Sequence, residues 1–136
     1  MQWPLPVNAT RYGTPQRNDS LLGLVSVVAS ATPHTKGAWS TFQTVPDSGS
    51  TGLIMWHGGS WSNNVDTAVL LDIGVQIGGP GNEFVIIPNL MMGFLDSDRL
   101  AHYLPINLPG GSTVVMRSAS AVVSHVMNIG IDLMGG

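Results

Sequence analysis

An all-β sandwich is the fold this sequence predicts, and three observations predict it. Residues 67–77 (TAVLLDIGVQI) alternate: Val69, Leu71, Ile73, Val75 and Ile77 are apolar, with Asp72, Gly74 and Gln76 between them. Period two is the mark of a strand with one face in a core and one toward water. Similar short runs, rich in Val, Ile and aromatics, recur along the chain with Gly/Pro turns between them. No stretch shows apolar residues at three- and four-residue spacing long enough for a core helix.

The elements follow in order. Residues 1–20 are polar and broken by Pro4, Pro6, Gly13 and Pro15. Proline fixes φ and resists helix, so this segment is expected to be an extended arm. Trp3, Leu5 and Val7 alternate in it, and Arg11 and Arg17 follow, a set suited to gripping a neighbouring protein. Strands are expected at 24–30 (LVSVVAS), 38–45 (AWSTFQTV), 52–57 (GLIMWH) and 67–77. Gly78, Gly79, Pro80, Gly81 and Asn82 form a turn by composition. A fifth strand, 83–87, is expected to stop at Pro88, and 89–99 to be the longest loop. The sixth, 102–108, holds Pro105, which points to an edge position. The seventh and eighth are 112–118 and 125–133, the last with His125, Met127, Ile129, Ile131 and Leu133 on one face. Eight strands behind an arm fit a single β-sandwich of jelly-roll type, domain 21–136, although an up-and-down barrel has the same count.

The chain has 136 residues, 10% of them charged, a net charge of −3 and no cysteine. Ordinary soluble domains carry roughly 25% charged residues, so much of the surface is expected to be covered by partners, self-association included. Without Cys there is no disulfide framework and no thiolate chemistry. The acidic balance argues against nucleic-acid binding. No apolar run approaches the roughly 20 residues of a membrane helix, and the N-terminus lacks the pattern of a secretory signal. Residues 37–98 hold six acids and no base, a net of −6, while 1–36 carry a net of +2.

The motifs that carry chemistry are few. Gly78 to Gly81 lacks the helix or Lys-Ser/Thr ending of a phosphate loop. His34, His57, His102 and His125 have no close ligand spacing, so no metal site is expected. Asp96, Ser97 and Asp98 with Asn89 lack the pattern of a calcium loop. Asp66, Asp72 and Glu83 are expected to be turn and outward-face residues rather than paired catalytic acids. No Gly-x-Ser-x-Gly elbow occurs, so no catalytic residue and no cofactor are predicted. Trp39, Trp56 and Trp61 fall within one third of the chain. Packing is their simplest role; the alternative is a glycan-binding face of Trp56 and Trp61 with Asn63 and Asn64.

Several stretches together resemble a β-rich family of structural proteins of tailed bacteriophages. They are 32–39 (TPHTKGAW), 68–74 (AVLLDIG), 85–90 (VIIPNL), 104–112 (LPINLPGGS) and Arg117 closing a strand. The ordered set covers residues 32–118. The resemblance implies a virion location, on the capsid surface before tail or fibre. It implies a non-enzymatic role as a decoration, or cement, protein that contacts the major capsid protein or other virion proteins. A homotrimer is expected from the local three-fold points of shells. A receptor- or glycan-binding module of a fibre is the alternative.

Overall fold

The computed structural model describes residues 10–13, 25–60, 68–92 and 102–135. Among them there are nine strands and no helix: β1 (Thr10–Gly13), β2 (Val25–Val28), β3 (Ser40–Thr44), β4 (Gly52–Ser60), β5 (Val69–Gln76), β6 (Glu83–Met92), β7 (His102–Leu104), β8 (Thr113–Ser120) and β9 (Val126–Gly135). They form two antiparallel sheets, β1-β9-β4-β7, in which β2 also pairs with β9, and β3-β8-β5-β6.

The pairing is organised around the β5–β6 hairpin. Counted outward from it, β4 pairs with β7, β3 with β8 and β2 with β9, each antiparallel. The chain is thus a long folded ribbon. The ribbon closes on itself where β9 takes β4 and β8 takes β5.

β1 and β2 both pair with β9, at Asp132 to Gly135 and at Val126 to Ile129. Because β4 occupies the other side of β9, these two short strands lie end to end in one lane. That leaves eight lanes in all. Part of the expected arm is therefore a strand of this sheet: Tyr12 lies opposite Leu133 and Arg11 opposite Met134. The ladder bonds of an otherwise open edge account for it.

The core lies between the sheets. Val27, Leu53, Met55, Met127, Ile129, Ile131 and Leu133 from one sheet meet Val69, Leu71, Ile73, Val75, Val114 and Met116 from the other, all buried. Each such side chain contributes about 1.5–3 kcal/mol by leaving water. The alternation of β5 and β9 thus points as the sequence predicts, with one exception. Ile77 is 49% exposed. β5 ends at Gln76, and the Ile77 amide instead closes the hairpin turn by donating to the Asn82 carbonyl. Gly78, Gly79 and Gly81 all have positive φ there, a conformation that glycine alone adopts cheaply.

Pro88 does not stop β6, which runs on to Met92 over residues expected to be loop. β6 is an edge strand, where a missing amide costs no ladder bond. Its ten residues face the eight of β5 through two register shifts, one between Ile73 and Gly74 and one between Leu71 and Ile73. A Cβ on Gly74 would lie 2.3 Å from the Phe84 carbonyl oxygen, so only glycine lets β6 cross so close. β7 stops at Leu104, just before Pro105, and is also an edge.

Ile73 and Ile77 are equivalent in the sequence pattern and opposite in the structure. Ile73→Ala should cost about 2–5 kcal/mol, whereas Ile77→Ala should change stability by less than about 0.5 kcal/mol. Urea unfolding of the two variants measures the difference.

Candidate functional site: a buried carboxylate beneath two cations

The outer face of the four-stranded sheet carries an ionic cluster. Asp72 sits mid-strand in β5, turned away from the core and directly opposite Arg117 of β8. Its side chain is only 6% exposed, so it does not face open water as the alternation suggests. The connection from β2 to β3 explains the cover. Its His34 and Gly37 amides donate to the Ser120 and Ser118 carbonyls of β8, which carries Lys36 over the sheet.

Three donors meet the buried carboxylate. Lys36 Nζ donates to Oδ1, and also to Asn89 Oδ1 at 2.7 Å. The Asn89 amide donates to Asp72 Oδ1 at 2.9 Å. Asn89 has φ +52°, in the β6 bulge beside Pro88, and the bulge aims this amide at a side chain instead of a ladder partner. Arg117 Nε donates to Oδ2 at 2.9 Å, and its guanidinium lies 4.3 Å from the centroid of the Trp39 ring, a cation–π distance. Burial alone pushes the Asp72 carboxyl up. The hydrogen bonds from Lys36, the Asn89 amide and Arg117, with the charge of Lys36, outweigh it and hold the group below its ordinary 3.8. Both oxygens are committed to donors. The carboxylate therefore serves as a fixed counter-ion, and what it offers outward is the oriented pair Lys36 and Arg117.

A second polar pair lies inside one end of the sandwich. Ser120 Oγ accepts from the Val122 amide at 3.1 Å and lies 2.9 Å from His125 Nδ1. The His125 tautomer decides which of the two atoms donates in that contact. Ser120 and His125 are both buried. The pair closes the β8–β9 turn, where Ser124 has φ +51°. Burial pushes the His125 ring below its ordinary 6.5.

The residues expected to carry function are scattered. Arg11 is in β1; Trp3, Leu5, Val7 and Arg17 lie outside the described residues. Trp56 is in β4 opposite Gly130, and Trp61, Asn63 and Asn64 lie outside the described residues, as do Asp66, Asp96, Ser97 and Asp98. His34 is exposed in a turn with φ +61°. His57 is opposite Ile129 and His102 opposite Met55. Among the described residues no three His, Asp or Glu side chains converge. The sequence signal for the observed cluster was a charge mid-strand, Asp72 between Leu71 and Ile73 and Arg117 after Met116, in a chain with few charges.

Comparison with protein-family models, with curated proteins and with solved structures returns no match to this chain.

Asp72→Asn should destabilise the fold by about 1.5–3 kcal/mol, the range for hydrogen bonds to a charged group. The pH dependence separates the two buried groups. The folded state keeps Asp72 ionised to lower pH than the unfolded chain does, so its contribution is intact above pH 3.8 and is lost as pH falls below that. His125 acts earlier: the unfolded chain takes up a proton near pH 6.5 that the buried ring resists, so stability starts to fall as pH drops through 6.5. Urea midpoints against pH should show both declines. Asp72→Asn should remove the lower one and His125→Gln the upper one.

Proposed function

We propose that this chain is a structural subunit of jelly-roll type that works by association, and specifically a bacteriophage head-decoration protein on the capsid surface. Its partners would be copies of itself, as a homotrimer, and the major capsid protein or another virion protein. The strand order supports the fold reading. A ribbon folded at one hairpin and wrapped into sheets β2-β9-β4-β7 and β3-β8-β5-β6 has the two-sheet, eight-lane arrangement of jelly rolls, which recur in viral shells. That recurrence is an analogy of fold, and function has to be carried by surface.

One observation carries the function: the outer edge of the sandwich is apolar. Phe84, Val85 and Met91 of β6 and Leu70 of β5 are exposed, Phe84 to 57% and Met91 to 71%. A long apolar edge strand invites association, and a chain with 10% charged residues has little else to keep such an edge apart from others. Bound only to the assembled shell, a subunit of this kind stabilises that shell by mass action, by about 2.7 kcal/mol per site at a hundredfold excess over Kd.

Electron microscopy of virions that carry the chain should place copies at regular positions over the capsid, clustered about local three-fold points. Heads lacking it should rupture at lower temperature. Copies confined to a fibre tip, or absent from the particle, would overturn the proposal.

A further inference from the structure

Two unspent features of the surface complement each other. Arg117 spends Nε on Asp72 and stacks on Trp39, which fixes the plane of its guanidinium. Its terminal nitrogens donate to nothing among the described residues, and the side chain is 32% exposed. Lys36 stands beside it, 22% exposed. Among the described residues only Asp72 pairs with them, so the pair carries one positive charge in excess. An oriented guanidinium fork of this kind matches a carboxylate.

The complementary group is at the tip of the same sheet. Glu83 opens β6 opposite Gln76, half-exposed, with no ion pair among the described residues. Within one chain the two charges cannot meet. Asp72 neighbours Arg117, and Gln76, four residues further along β5, neighbours Glu83. Glu83 is thus about 16 Å from Arg117 by strand spacing.

We propose that a second copy of this chain supplies the carboxylate: Glu83 of one copy binds the Arg117 and Lys36 face of the next. This specifies the self-contact of the proposed function and rests on that reading. Because donor and receiver are different patches, the contact is head-to-tail. It closes into a ring when the rotation permits, as a trimer requires. The turn acid Asp47 is also exposed and is not part of the contact.

Sedimentation velocity of the full chain, wild type against Glu83→Lys and Asp47→Lys, tests it. Both changes lie on exposed turns or strand ends, and circular dichroism checks that the sheets are kept. The wild type and Asp47→Lys should sediment as the same closed oligomer, weakened by salt. Glu83→Lys should raise the dissociation constant by at least about tenfold. A wild type that assembles and a Glu83→Lys variant that assembles equally well would overturn the contact and leave self-association standing. A wild type that is monomeric at high concentration would overturn both.

Discussion

A buried carboxylate sets the terms for the four-stranded sheet. Removing Asp72 from water costs several kcal/mol unless the charge is paired and its oxygens are hydrogen-bonded. Meeting that demand draws in every lane of the sheet. The lead into β3 supplies Lys36, β8 supplies Arg117 and the β6 bulge supplies the Asn89 amide. The irregular features nearby follow from it. The left-handed Asn89 and the bulge beside Pro88 are what aim a backbone N–H sideways, and the glycine at 74 is what lets β6 lie close enough. The hydrophobic core on the opposite face is generic by comparison.

The same cluster links fold to surface. A lone surface arginine is mobile, and ordering it on binding costs side-chain entropy. Here the ordering is done in advance, by Asp72 at one end and the Trp39 ring beneath. The net effect is a rigid positive site on a sheet whose far end is acidic and apolar. Among the described residues the edge of β6 has no strand partner beyond β5, and the proposed function uses that edge. The Ser120–His125 contact is buried in the turn that it stabilises.

Much of the fold was legible because β5 and β9 carry clean alternation, and alternation reports the core face directly. Eight lanes could be counted from turn chemistry. Three things were not legible. Local pattern cannot tell an edge strand from a central one, so Pro88 read as an end although β6 passes through it. Thr10–Gly13 has too little apolar pattern to announce itself, and it becomes a strand only because β9 offers a free edge. The ionic cluster joins residues 36, 72, 89 and 117, distant in sequence. Asp72 alone looks like an ordinary water-facing position, since nothing local reveals that Lys36 will cover it.

The claim that Asp72 ties the sheet into one cooperative unit is open to direct measurement by native-state hydrogen exchange at single residues. The decisive probe is the Asn89 amide, which has a side-chain carboxylate as its partner and sits in an edge-strand bulge. The account predicts that it exchanges with the slow β5 and β8 amides, through global unfolding. Rapid exchange of Asn89 while those amides stay protected would contradict it, because the bulge and its ion pairs would then open independently of the sheet.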